Sequence, residues 1–318
     1  MDDVRPMASA PRVILRDSTL REGLDTPAVQ FSPSQRFHLG ELLAEAGVDE
    51  AEVVAPSRVT ADLEIARALK ARGLPLRICG LVYADGSRYE QEIGLSAGQL
   101  DWVTLLMPLS SKREPADPSE KITRLAAAVD YAVARTAAVG VGFPHATQTD
   151  LELLVRIGRV ATEHGARRIT IYDTNGSADP FRIRELLTAL RGAWDVEMFF
   201  HGHNDLGLAT ANSLAAVAGG AHGVEVTVNG LGDRAGNASL EQVAVGLHLR
   251  GMPAAVRLER LPTLSRVVEE ASGVAVPKLA PIVGEYVFIH KSPAHLRTPE
   301  LFEAFDPALI GTRRRLDH

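Results

Sequence analysis

Eight short apolar runs, each followed by a longer stretch of helical periodicity, predict an α/β fold, a (β/α)8 TIM barrel, with a small appendage. Two further observations support this. The chain has 318 residues, somewhat more than the roughly 250 of a simple barrel of this kind. The runs are also near-continuously apolar rather than alternating, as strands are in a parallel sheet covered by helices. The count of eight favours closure over an open doubly wound sheet, and no G-x-G-x-x-G leads a strand into a helix, so a dinucleotide fold has no support.

In chain order, strands are expected at 13–15, 49–54, 76–82, 102–107, 139–143, 168–172, 196–200 and 223–228. Helices are expected at 34–46, 59–71, 87–96, 119–138, 150–164, 180–190, 206–218 and 240–249. Ser34 and Asp150 are suited to cap helix starts, and Gly47, Gly73 and Gly165 stand where helices should stop. After Arg250 the pattern changes: Pro253, Pro262, Pro277 and Pro281 surround one short helical piece, 264–271. The chain thus divides into a flexible start (1–11), a barrel (12–250) and a C-terminal, mostly helical subdomain (251–318). That last segment is too rich in Pro and Gly to build a core, yet it carries Val287, Phe288, Leu296, Leu301, Phe302 and Phe305, which need a surface to bury against.

Composition narrows the function classes. The net charge of −6 argues against nucleic acid or an anionic membrane as the main partner. No apolar run approaches the ~18 residues of a membrane span, and the first ten residues lack the apolar centre of a signal peptide. The single cysteine, Cys79, excludes an intramolecular disulfide and fits a reducing, cytoplasmic location.

The most informative stretch runs from 201 to 242. His201 and His203 follow an apolar strand at i, i+2, so both side chains leave the strand on one face and can converge on one ion. Alone, such a pair is as well explained as polar decoration at a strand end. Here Asn204 and Asp205 follow, and the second strand enters a Gly-rich loop, 229–237, that holds Asp233, Arg234 and Asn237. In a barrel of this type the chemistry sits at the C-terminal ends of the strands. Arg16 and Asp17 end the first strand, Glu52 lies in the second, Asp173 and Thr174 end the sixth, and the two histidines end the seventh.

HGHNDLGLATAN, NGLGDRAGNASLE and, near the N-terminus, RDSTLREG, with GVDEAEV between, resemble the signatures of the metal-dependent acyl-CoA Claisen-condensing enzymes. These are the isopropylmalate, homocitrate and citramalate synthases of the DRE-TIM metallolyase superfamily, relatives of the hydroxymethylglutaryl-CoA lyases; the match runs from about 12 to 315. The resemblance implies one divalent ion (Mn, Mg, Zn or Co) on Asp17, His201, His203 and Asn237. It implies that Arg16 polarises a ketone oxygen, unless it is a salt-bridge partner of Asp17 or Glu52, and it matches Glu52 to a catalytic glutamate that recurs on the second strand. Thr174 would hold a keto-acid carboxylate, unless it is simply a turn residue. The segment from Pro281 to Gly311 resembles the small subdomain that follows the barrel in the synthases, with His295, beside His290 and Lys291, as general base or acid reaching a partner barrel in a homodimer. The implied reaction condenses acetyl-CoA with an α-keto acid and hydrolyses the thioester to a 2-substituted malate.

Departures from the family pattern leave the keto acid open. Leu24-Asp25 replaces the Gln expected after Gly23, and Pro144 to Gln148 replaces an acidic residue, an Asp and an Arg. Asp25 and His145 are therefore expected at the substrate. Lys112 and Arg113 could meet an anionic substrate tail or CoA phosphates, or belong to a solvated loop. The alternative reading is a lyase or aldolase cleaving a 3-hydroxyacyl-CoA or a 4-hydroxy-2-keto acid. Against the lyase, the loop GLGDRAGN lacks its reactive cysteine. A non-enzymatic scaffold would require intact motifs to be vestigial.

Overall fold

The computed structural model describes residues 12–109, 118–252 and 254–316; Lys112 and Arg113 lie outside them. Eight parallel strands close into a barrel in sequence order: β1 (Ile14–Asp17), β2 (Glu50–Val54), β3 (Arg77–Tyr83), β4 (Trp102–Leu106), β5 (Val139–Phe143), β6 (Arg168–Asp173), β7 (Glu197–Gly202) and β8 (Gly223–Val226). Each is followed by a helix: α1 (Pro33–Glu45), α2 (Val59–Ala71), α3 (Tyr89–Ser96), α4 (Ser119–Val133), α5 (Leu151–Glu163), α6 (Pro180–Ala193), α7 (Ala209–Ala218) and α8 (Leu240–Leu249). β1 pairs with both β2 and β8, which closes the ring.

Local chemistry explains where the helices begin and end. α1 is capped by Ser32 rather than Ser34: the Ser32 hydroxyl accepts from the Gln35 N–H, the Gln35 side chain accepts from the Ser32 N–H, and Pro33 fills the first turn. Gly47 ends it at φ +78, where a Cβ would lie 2.6 Å from the Ala255 carbonyl. Asp150 caps α5 as expected. α7 starts at Ala209, later than its periodicity suggests, because Asn204 accepts from the Ala209 N–H and holds the residues between as a turn. β8 stops at Val226 and gives way to a tight turn, Val228–Gly230, before the Gly-rich loop.

The lower part of the barrel interior is ionic. Arg168 on β6 reaches across to Glu50 on β2 (2.7 Å), and Arg16 on β1 bonds both Glu50 and Glu225 (3.0 Å each). The guanidinium of Arg168 also lies between the Trp102 and Phe199 rings, 3.9 and 3.8 Å from their centroids. Buried charges survive because each is paired. Arg16 is therefore a structural ion-pair residue here, and alternation along the strand then turns Asp17 to the outer face of β1. There its carboxylate accepts from the Thr19 N–H (2.8 Å) and lies near Glu241 of α8.

After the barrel, α9 (Leu261–Ser272) starts earlier than expected, since Pro262 occupies a first-turn position where no N–H is needed. The chain then forms a two-stranded parallel ladder, β9 (Ile289–His290) with β10 (Arg315–Leu316), and the short helix α10 (Pro293–Arg297). Phe288 and Ile310 bury against the barrel's core cluster, with Val287 and Phe305 packed beside them, whereas Leu301 and Phe302 stay exposed. No helix among the described residues is long and apolar enough to cross a membrane.

Candidate metal centre at the mouth of the barrel

After β1 the chain curls back over the lumen instead of continuing outward. The N–H groups of Arg21, Glu22 and Gly23 all point to the Ser18 carbonyl (3.0, 2.7 and 3.3 Å), and a 3-10 turn, Glu22–Asp25, follows. This places Arg21 and Glu22 over the C-terminal ends of the strands. His201 and His203 rise from the end of β7 with their Nε2 atoms 3.4 Å apart, and Glu22 Oε1 is 3.8 Å from His203 Nε2. Glu22, His201 and His203 each offer one donor atom, all within 4.8 Å of one another, and all three are buried.

The ring nitrogens are presorted. His201 Nδ1 is engaged by Glu225 at 2.8 Å, which leaves Nε2 directed to the cluster. Burial alone would raise the Glu22 carboxyl, but Arg21 and the two imidazoles outweigh it and hold it at about 2. Burial, and then the neighbouring His201, push His203 down to about 4, so it offers a neutral nitrogen at pH 7. Asn237 sits opposite His203 in an isolated antiparallel bridge, with its side-chain oxygen buried and without a partner. Burial opposes charge on His201, but the Glu225 carboxylate on Nδ1 outweighs it and raises its pKa. An ionised carboxylate, two imidazole nitrogens and an orphaned amide oxygen are a donor set suited to a borderline or hard divalent ion.

Two expectations are corrected here. Asp17 does not join the cluster, because strand alternation faces it away from the lumen; the carboxylate present is Glu22. Arg16 is committed to Glu50 and Glu225 below the cluster, and the guanidinium at the mouth is that of Arg21. Arg21 is ion-paired to Glu22 and donates from Nε to Glu52 at 2.6 Å. Glu52 is fully buried; burial raises its pKa, and its second oxygen has no partner. The missed pair was visible in the motif, since RDSTLREG contains a second Arg-acid step at 21–22.

The remaining candidates form the rim. Asp25 is exposed and lies 3.5 Å from Arg58 and 3.8 Å from Arg21. Thr174 accepts from the His145 N–H at 2.8 Å, which joins the loops after β5 and β6. Arg234 fastens three loops together, bonding both oxygens of Asp205, the Thr174 carbonyl and Asp233. His295 stands apart on α10, its ring stacked on Phe302 (3.9 Å between centroids) and 3.5 Å from His290 Nδ1. His290 is in turn bonded to Glu303, which pairs with Arg314.

The fold and the site together define a closed parallel barrel with a Glu-His-His cluster at its mouth, beside a glycine-rich loop. The comparisons with known proteins agree: residues 12–268 match the HMGL-like family, and the chain belongs to it. It is 37% identical over 314 residues to a probable 2-isopropylmalate synthase of Methanopyrus kandleri, covering 96% of this chain but 62% of that protein. It is 35% identical to the homocitrate synthase AksA of the same organism, covering 98% and 80% of the two chains. With a putative (R)-citramalate synthase of Archaeoglobus fulgidus it shares 32% identity, over 95% of this chain and 63% of that one. The fold is similar to that of the HMG-CoA lyase of Bacillus subtilis, with a TM-score of 0.74 at 20% identity over 87% of this chain and 98% of the other.

Proposed function

We propose that the protein is an acyltransferase that condenses acetyl-CoA with an α-keto acid and hydrolyses the resulting thioester, releasing CoA and a 2-substituted malate. The observation that carries this reading is the Glu22-His201-His203 cluster with Arg21 beside it, in a chain whose relatives bear synthase names. Glu22, His201, His203 and Asn237 would hold one divalent ion (Mn, Mg, Zn or Co), which when bound supplies Lewis-acid polarisation of the keto acid's oxygens. Arg21, kept in orientation by Glu52, donates to the ketone oxygen as it becomes an alkoxide. Thr174, His145 and Asp25 on the rim contact the keto acid's carboxylate and distal group. A base takes a proton from the methyl of acetyl-CoA, the new C–C bond forms at the ketone carbon, and the alkoxide takes up a proton. Water then cleaves the thioester. We assign the base role to His295 from a second copy, with His290 and Glu303 orienting it. The absence of cysteine from GLGDRAGN favours condensation over the lyase alternative.

The test is a CoA-release assay with metal-loaded protein, acetyl-CoA and a panel of pyruvate, 2-oxoisovalerate, 2-oxoglutarate and oxaloacetate. Release dependent on one keto acid is expected. CoA release from no member, together with cleavage of hydroxymethylglutaryl-CoA, would replace this reading with the lyase one.

A further inference from the structure

Tyr172 is a polar group at the mouth that none of the roles above uses. It is the penultimate residue of β6, in register with His201 on β7, and its ring stacks on the His201 imidazole at 4.6 Å between centroids and 29° between planes. Leu81 and Leu106, from β3 and β4, pack against it. The side chain is 6% exposed, yet its hydroxyl oxygen is buried and has no hydrogen-bond partner. Tyrosine hydroxyls in such surroundings are normally paired, and leaving one unpaired opposes folding. A phenylalanine would fill the same space without that penalty. A phenol is un-ionised at neutral pH and has an O–H to donate.

The neighbouring strand has been cleared for this ring. A Cβ at Gly142 on β5 would come within 2.8 Å of Tyr172 Cε2 and 3.4 Å of Cζ, and within 2.8 Å of Leu106. A side chain at 142 would force the Tyr172 ring, Leu106 or the strand itself to shift. Two positions are thus coupled: a strand glycine that makes room, and a phenol with an unpaired hydroxyl whose ring lies on His201.

We propose that Tyr172 is a substrate-contacting, specificity-determining residue, whose phenol O–H donates to an oxygen of the bound α-keto acid while its ring, seated on Gly142, limits how deep the ligand can enter. This rests on the keto-acid reading of the site. A donor is what the position calls for, because Glu22 and Glu52 supply only acceptors to a ligand that is itself an anion. Arg21 is already shared with both carboxylates.

The experiment is equilibrium binding of oxalate and of pyruvate to the metal-loaded, full-length protein, read by calorimetry, with bound metal and thermal midpoint measured on the same samples. Tyr172→Phe should weaken oxalate binding about ten-fold or more, the scale of a lost hydrogen bond to a charged oxygen. Metal content should stay unchanged and the midpoint should not fall. Gly142→Ala keeps the hydroxyl but displaces the ring; it should weaken binding to a similar extent, and the double variant should be little worse than either single one. Unchanged oxalate and pyruvate affinity in Tyr172→Phe overturns the assignment. So does a loss of metal in step with the loss of binding, which would make the ring only packing for His201. If the unmodified metal-loaded protein binds neither probe, the keto-acid reading itself falls, and this assignment with it.

Discussion

Two buried carboxylates five residues apart in one motif are treated in opposite ways by their surroundings. Glu22 faces a guanidinium and two imidazoles and is held ionised, at about 2. Asp17 has one backbone N–H, an oxygen with no partner and Glu241 nearby, and burial pushes it up to about 7. A metal ligand must be the first kind. Glu22→Gln should therefore abolish the rise in melting temperature that a divalent ion produces, whereas Asp17→Asn should keep it. Asp17 should instead mark itself in the pH dependence of stability. Its pKa is higher folded than the ~3.9 expected unfolded, so between those values the folded state binds the extra proton and stability falls as pH rises. Relative to the unmodified protein, Asp17→Asn should gain about 1 kcal/mol per pH unit across that window and level off above about 7, as read from urea midpoints at pH 5 and pH 8. The same contrast shows what the sequence could convey about the site. His201 and His203 were legible, because i, i+2 spacing at a strand end places both on one face. The motif RDSTLREG holds two Arg-acid steps, at 16–17 and 21–22, and its spacing does not say which of them reaches the mouth. Only the hydrogen bonds to the Ser18 carbonyl reveal that the chain doubles back over the lumen.

At the scale of elements, the mouth is a set of loops fastened to one another, and the loop after β8 is held both to itself and to the loops after β1 and β7. The Asn237 N–H donates to the Gly230 carbonyl, the Asn204 N–H to the Gly236 carbonyl, and Thr26 exchanges bonds with Gly232 in both directions. Gly236 sits at φ +83, where a Cβ would collide with the Gly230 carbonyl. Gly236→Ala should therefore cost more than the ~1 kcal/mol of a strained left-handed alanine, and should lower metal affinity by displacing Asn237 and, through its bridge, His203. Gly251→Ala is the control: its φ is +66 with nothing within 4 Å of a Cβ, so only the backbone strain should register. Metal titration and thermal midpoints of the two variants make the comparison. Strand order and helix sites were readable from apolar periodicity, which reports burial. Boundaries such as the start of α7 were not, because a side-chain bond from Asn204 overrides the helical pattern of the residues after it.

At the scale of the whole molecule, the last prediction is that the working unit is a homodimer whose C-terminal subdomains are exchanged. The subdomain divides its apolar residues into two sets. Phe288 and Ile310 seat it on its own barrel, which fixes where it starts. Leu279, Leu301 and Phe302 remain 82%, 74% and 49% exposed, and Phe302 is the residue on which His295 stacks. Exposed Leu301 and Phe302, beside an imidazole already oriented by His290 and Glu303, form a surface that a second copy would bury. Burial at about 25 cal/mol per Å2 would favour that association, and the same contact would carry His295 to a neighbouring mouth. If so, His295→Ala and His201→Ala damage different halves of a shared site. Each should be inactive alone, and mixing them under conditions of subunit exchange should restore roughly one working site per hybrid dimer. Leu301→Asp should shift sedimentation toward the monomer and lower activity without changing metal content. Hybrids that exchange freely yet recover no activity would place the base within the same chain.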